Sequence, residues 1–405
     1  MNYEKTTIGL HCTVTSSKRF HASERTKDGV PFYCSKEIIK KVNGEKITEC
    51  DYISEDAYNR VKEEYGVPQT GDLLITTRGT YGIPYIYKEY DKFYFADGNL
   101  TWLKDFDDKL DAEYLYYWIN SYEGQKKIDA IAKGTAQKAV PIALLKEIEI
   151  VIPENPIQKK VVVILKNYDQ LIENNKKQIK LLEEAAQRLY KEWFIDLRFP
   201  GYENCKIVDG VPESWIQKKI SDLGEIITGK TPSTSKEQYY GGNIPFVKIP
   251  DMHDCVFPIT TEVSLTNEGA NTQKNKFIPK NGIMVSCIAT VGLVNIAIEP
   301  CQTNQQINSI ILNNEQDLYY VYSSMKRLKE LLEGVGSNGA TMTNVNKTKF
   351  GKLEVVYPND ELRKLYYNYC KPIFEKIYAL SRSIKKLSQA RDCLLPKLMS
   401  GEIEV

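Results

Sequence analysis

NPIQKKVVVILKNYDQLIENNKKQIKLLEEAAQRLYKEWFIDL, residues 155–197, is the stretch on which the reading of the whole chain turns. Asn155 and Pro156 suit an N-cap and a first helical residue. Ile157, Val161, Ile164, Tyr168, Leu171, Asn175, Gln178, Leu182, Ala185 and Leu189 then follow at alternating intervals of four and three. That spacing, kept up for about five heptads, is the seam of a coiled coil rather than the stripe of a short globular helix. Residues 360–399, DELRKLYYNYCKPIFEKIYALSRSIKKLSQARDCLLPKLM, carry a second rail of Leu362, Tyr366, Tyr369, Ile373, Lys376, Leu380, Ser383, Leu387, Ala390 and Leu394. Each of these lies 205 positions after its counterpart. Pro372 falls inside the second rail, where it predicts a kink or short break.

The correspondence starts upstream of the helices. Residues 134–153 (GTAQKAVPIALLKEIEIVIP) align without a gap on residues 339–358 (GATMTNVNKTKFGKLEVVYP) at the same offset. Identities are few, among them Gly134/Gly339, Val140/Val345, Glu149/Glu354 and Pro153/Pro358, so the run of loop, strand, proline and heptads carries the match. Further upstream, Gly29–Phe32 echoes Asn243–Phe246, and Leu73–Thr76 with Thr80–Gly82 echoes Ile283–Ser286 with Thr290–Gly292. The expected architecture is α+β: globular domains at residues 1–152 and 200–358, each followed by a long helix, at 153–199 and 359–405. The two helices are expected to pair as an antiparallel coiled coil about a pseudo-two-fold axis.

Within the first domain, Asp72–Thr77 reads as a buried strand, Arg78–Gly82 as a turn, and Ala112–Lys127 as one helix. Glu147–Ile152 reads as the last strand before Pro153 releases the chain into the helix.

A chain of 405 residues fits two domains plus connecting helices. No apolar run approaches the ~20 residues of a membrane span, and Met1–Phe20 lacks the apolar core of a signal peptide. Nine scattered cysteines without a CxxC pair read as reduced thiols, which predicts a cytoplasmic protein. The net charge of +1 requires any nucleic-acid surface to be local.

Chemistry-bearing motifs are scarce. Gly224–Thr231 (GEIITGKT) matches the phosphate-loop pattern, but Pro232 and the Ser/Thr run after it continue as loop where a helix N-terminus is needed. Glu225, Ile226 and Ile227 suit a strand. His11, His21 and His253 have no ligand spacing, and no nucleophile elbow or adenine-methyltransferase pair is present. What remains are polar loops at corresponding places in the two copies. They hold Lys18, Arg78, Thr80, Tyr81, Lys133, Gln137 and Lys138 in the first, and Lys230, Thr231, Lys248, Thr290, Asn304, Gln305, Asn338, Thr343, Asn344 and Lys347 in the second. Side chains of these types read base edges or grip phosphates. A protein-binding scaffold on a coiled coil, or an enzyme using the phosphate-loop-like stretch, would be the other readings.

Two groups of residues bear a family resemblance. Leu223–Pro232 (LGEIITGKTP) with Tyr239–Phe246 (YYGGNIPF) resembles the start of a target-recognition domain in the DNA-specificity subunits of type I restriction-modification systems. Leu189–Asp196 (LYKEWFID) and residues 391–402 (RDCLLPKLMSGE) resemble the ends of that family's two spacer helices. Ile8–Phe20 departs from the usual opening, lacking its Thr-Gly-x-Thr-Pro run. The resemblance implies a non-catalytic subunit, each domain reading one half of a split, asymmetric site on double-stranded DNA. It also implies helices that hold the domains apart and dock two methyltransferase subunits, with translocase-nuclease subunits completing the complex. S-adenosylmethionine, ATP and magnesium would then belong to those partners and not to this chain. A 40-residue helix, ~60 Å long at ~1.5 Å per residue, can separate two major-groove readers by one or more DNA turns of ~34 Å.

Overall fold

Runs of β-branched and aromatic residues bounded by glycine and proline become the strands here. A computed structural model describes residues 3–134, 138–328, 330 and 344–405. The chain divides into two units, Met1–Gln170 with Ser388–Val405, and Leu171–Leu387.

In the first unit, Tyr3–Thr7 pairs antiparallel with Glu149–Pro153, from Tyr3↔Pro153 to Thr7↔Glu149. A four-stranded antiparallel sheet runs in the order Thr13–Thr15, Leu100–Lys104, Leu73–Thr76, Pro84–Ile86. A three-stranded sheet sets Val30–Tyr33 between Asp51–Ile53 and Tyr94–Phe95, the latter pair parallel. All four residues of Leu73–Thr76 are buried, as a central strand requires. The core gathers Leu73, Leu103, Leu115 and Trp118 with Val161 and Leu165 from the first long helix and Leu395 and Leu398 from the second.

The second unit repeats this plan and adds a two-stranded hairpin of Ile207–Val208 and Val211–Pro212. Ile216–Lys219 pairs with Glu354–Tyr357, and a four-stranded sheet runs Gly224–Thr228, Ile307–Leu312, Ile283–Ser286, Val294–Ile296. A three-stranded sheet holds Tyr240–Val247 between Val263–Leu265 and Gln302–Thr303, again with one parallel pair. Register is kept too: Val14↔Leu103 and Leu73↔Leu103 in one copy become Ile226↔Ile310 and Ile283↔Ile310 in the other. Gly224–Thr228 is therefore a sheet strand, and the phosphate-loop reading has no helix to feed.

Many of the chain's 27 tyrosines are core residues. Phe194 packs edge-on against Tyr320 (4.8 Å) and Tyr366 (4.9 Å) within a core that also holds Tyr190, Trp193 and Trp215. Such pairs contribute about 0.5–1.5 kcal/mol each beyond the area they bury.

The long helices are Asn155–Phe194 and Asp360–Ser400. In the second unit Asn175 Nδ2 donates to Ser383 Oγ (3.2 Å), while Trp193 packs on Tyr366 (5.7 Å) and Tyr369 (5.5 Å). Numbers rising on one helix meet numbers falling on the other, so the pair is antiparallel. The polar contact falls at two of the polar seam positions. The seam itself shifts, because Leu171 is exposed while Ile172 is buried, and Ala185 is exposed while Ala186 is buried. Each helix must cover a sheet-bearing unit as well as its partner, so the buried stripe is wider than a pure heptad rail. Pro372 does not break the second helix, which stays helical throughout. Buried Cys370, Phe374 and Ile377 hold the turns on either side of it.

The single helix expected over 112–127 is two, Ala112–Asn120 and Tyr122–Ile131. Ser121 is extended between them; its hydroxyl accepts from Gly124 N–H (3.1 Å) and donates to Trp118 O (2.6 Å). A serine that serves both helix ends outweighs continued helical periodicity there.

Candidate nucleic-acid interface

In the first unit the loop after Leu73–Thr76 closes on itself. Gly82 N–H donates to Thr76 O (2.8 Å), and Ile83 N–H donates to Thr76 Oγ1 (3.0 Å). In the second, Gly292 N–H donates to Ser286 O (3.0 Å) and Leu293 N–H to Ser286 Oγ (2.8 Å). Gly79 has φ +73°, and Ala289 takes the corresponding place at φ +64°. An alanine held in the left-handed region shows that the loop shape is kept even where its residue is strained.

Each loop is tied to the segment that precedes the last strand. Arg78 bridges Ala139, Gly79 N–H donates to Lys138 O (3.3 Å), and Lys133 N–H donates to Ala139 O (2.8 Å). Arg78, Thr80, Lys133 and Lys138 are thus exposed side chains of one surface, with Tyr81 half-buried against the core beside them. Ile288 bridges Asn344 in the same way, and Val345 N–H donates to Cys287 O (2.8 Å). Asn346 Oδ1 caps the helix Lys347–Gly351 at Lys349 N–H (2.9 Å), which leaves Lys347 exposed at its start.

A second feature joins this surface in the 171–387 unit. Cys287 N–H donates to Gln306 O (2.8 Å), Lys230 N–H donates to Thr303 O (2.9 Å), and the Thr231 hydroxyl donates to Gln305 Oε1 (2.8 Å). Lys230, Thr231, Gln305, Thr290 and Asn344 therefore belong to one linked set of loops. Asn304 is 9 % exposed and spends its amide within its own turn, donating to Gln306 Oε1 (2.8 Å) and accepting from Gln306 N–H (3.1 Å). The Lys248 ammonium is engaged by Glu262 (3.0 Å). Lys18, the equivalent of Lys230, is exposed; its N–H donates to Tyr94 Oη (2.7 Å) and its ammonium lies 4.8 Å from the centre of the Tyr65 ring. Burial pushes the Tyr94 phenol up to about 12, so it stays a neutral acceptor. Gln137, Asn338 and Thr343 lie outside the described residues.

Sequence reasoning missed the clamp beneath Lys230. Buried Gln273 donates through Nε2 to Lys230 O (2.6 Å) and to Gln302 Oε1 (2.8 Å), and Gln302 Nε2 donates to Ala270 O (3.0 Å). Gln302 opens the buried two-residue strand Gln302–Thr303, and nothing in the sequence around it signals the clamp.

The family model for the type I restriction modification DNA specificity domain matches residues 2–184 and again 212–387. The chain belongs to this family. It is 34 % identical over 358 residues to the type I restriction enzyme HindI specificity subunit of Haemophilus influenzae, covering 72 % of this chain and 77 % of that one. It is 27 % identical over 351 residues to the MjaIX specificity subunit of Methanocaldococcus jannaschii, covering 83 % and 78 %. The crystal structure of the type I S subunit from M. genitalium shares the fold, at 17 % identity and TM-score 0.60 over 98 % of this chain and 96 % of that one. A protein-binding scaffold is thereby the weaker reading. No helix among the described residues is long and apolar enough to cross a membrane.

For a specificity subunit the tight join at Gly229 matters. A Cβ there would lie 2.2 Å from Asn304 O and 2.3 Å from Thr303 O, both backbone atoms. Gly229→Ala is expected to push the Lys230 loop off its seat, lowering DNA affinity at least tenfold with a smaller change in the unfolding midpoint. Equal affinity in a filter-binding titration would show that this loop does not contribute.

Proposed function

We propose that this subunit recognises a bipartite, asymmetric site on double-stranded DNA, each unit reading one half through its own loop cluster. The observation that carries the reading is the duplication. Two units of one topology present the same pair of tied loops, at Arg78/Ala139 and Ile288/Asn344, but with different side chains. Constant scaffolds with divergent loops suit two readers of different specificity. Arg78, Lys133, Lys138, Lys230 and Lys347 supply local positive charge on a chain of net charge +1. Phosphate contacts position such a reader, and Gln305, Asn344 and Thr290 have the donors and acceptors that base edges require.

The chain itself contributes recognition and no catalysis. By likeness to relatives named as type I restriction enzyme subunits, it directs two methyltransferase subunits and translocase-nuclease subunits to the site. S-adenosylmethionine, ATP and magnesium enter with those partners.

A salt titration tests the reading, since each phosphate neutralised steepens the fall of log K with log[salt]. Lys347→Ala and Arg78→Ala should each weaken binding by about 1–3 kcal/mol if the side chain reaches a base, or reduce the salt slope by about 1 if it meets a phosphate. Unchanged affinity and slope for both variants would place the contact surface elsewhere.

A further inference from the structure

A cavity of about 560 Å³ in the 171–387 unit has Glu183, Ala186, Tyr322, Ser323, Lys326 and Phe374 in its wall. Its origin lies in a difference between the two copies. In the first unit Tyr117 Oη donates to Asp169 Oδ2 (2.7 Å) and Arg391 donates to Asp169 Oδ1 (2.7 Å). A guanidinium, a carboxylate and a phenol occupy that place. The offset of 205 puts Phe374 at the position of Asp169 and Ala186 at that of Arg391. The matching nine-residue helices Ala112–Asn120 and Leu318–Lys326 put Ser323 at the position of Tyr117.

The neighbouring corner confirms the alignment. Gln158, which accepts from Asp111 N–H (2.9 Å), donates to Pro153 O (2.8 Å); Arg363, which pairs with Asp317, donates to Pro358 O (3.0 Å). The volume filled by an arginine and a tyrosine in one copy is therefore bordered by an alanine and a serine in the other.

A buried hydroxyl beside the cavity and a carboxylate in its wall make no hydrogen bond among the described residues. Tyr322 is 5 % exposed and its hydroxyl makes no hydrogen bond among the described residues. The Glu183 carboxylate makes no hydrogen bond or salt bridge among the described residues, and the Lys326 ammonium is the cation that attracts it. Burial raises its carboxyl pKa, with Lys326 acting in the opposite direction and Asp254 reinforcing the rise. Of the four cations in the wall, Arg327 is committed to Glu330 (2.8 Å), Lys191 to Asp196 (2.6 Å), and Arg188 is an exposed side chain. Lys326 lies along the Tyr322 ring, 5.9 Å from its centre.

We propose that this cavity binds a singly substituted guanidinium, an arginine side chain of another polypeptide or a free guanidino compound, which donates to Glu183 with its stem against Ala186 and Phe374. The ligand thereby restores in the second unit the group that Arg391 provides internally in the first. A planar fork of donors suits a carboxylate in a shielded site better than a rounded ammonium does. The volume is within the range of ligand pockets.

The full chain is titrated by calorimetry with agmatine and, separately, with a short peptide carrying one arginine. Saturable binding of at least one probe is expected. Agmatine alone binding would identify a small guanidino ligand, and the peptide alone a polypeptide. Glu183→Gln should weaken binding at least about tenfold. Ala186→Arg should abolish binding by supplying the guanidinium in cis. Failure of both probes at millimolar concentration, or undiminished binding to a folded Glu183→Gln protein, overturns the proposal.

Discussion

Arg363→Ala is expected to destabilise the 171–387 unit by about 3–5 kcal/mol, the cost of leaving one partner of a buried ion pair behind. Arg363 and Asp317 are 3 % and 2 % exposed, and the guanidinium bonds the Asp317 carboxylate, which also accepts from Tyr357 Oη (2.6 Å). Arg363 further pairs with Asp360, donates to Pro358 O and stacks 3.9 Å from the centre of the Tyr357 ring. One side chain thus ties the start of the second long helix to the start of Leu318–Lys326 and to the last strand. The first unit solves the same corner without charge on the helix, through Gln158. Arg363→Gln combined with Asp317→Asn should therefore recover much of the loss, as replacing both partners of a buried pair often does. Hydrogen exchange along Leu318–Lys326 would report the change locally. A loss below about 1 kcal/mol for the alanine variant would mean water reaches the carboxylate and relieves it.

Replacing residues 1–152 by the equivalent domain of a relative is expected to change one half-site entirely and leave the other untouched. Each mismatched base pair costs about 1–3 kcal/mol, so several together bring a half-site to non-specific affinity. The junction falls at the end of Glu149–Pro153, before the helix that begins at Asn155. The incoming domain must still pack on Val161 and Leu165 of that helix and on Leu395 and Leu398. Mapping methylated adenines in a strain carrying the exchange is the measurement. A change in both half-sites would show that the units do not read independently.

Much of the architecture is legible in the order of residues along the chain. The offset of 205, the ungapped run from Gly134 to Pro153 and the alternation of four and three are properties of order along the chain. Local period and turn chemistry determine element type, so both long helices, the buried strand at Leu73–Thr76 and the strand at Gly224–Thr228 were legible. The loops at Arg78–Tyr81 and Asn344–Lys347 were legible as polar segments in corresponding places.

Facing and partnership were not legible, because they depend on residues far apart in the chain. Ile172 rather than Leu171 is buried, since the helix serves a sheet-bearing unit and a second helix at once. Asn304 and Gln305 are adjacent and chemically alike, yet one satisfies its own turn and the other meets Thr231, a choice made by the strand that presents them. Gln273 reads as an ordinary polar residue until Lys230 is brought onto its amide. Sequence order alone thus determined that the chain is a duplicated α+β unit with a long helix after each copy. Tertiary structure decided which loop residues are free to meet a ligand, because a buried donor or acceptor must be satisfied inside the fold before it can serve anything outside.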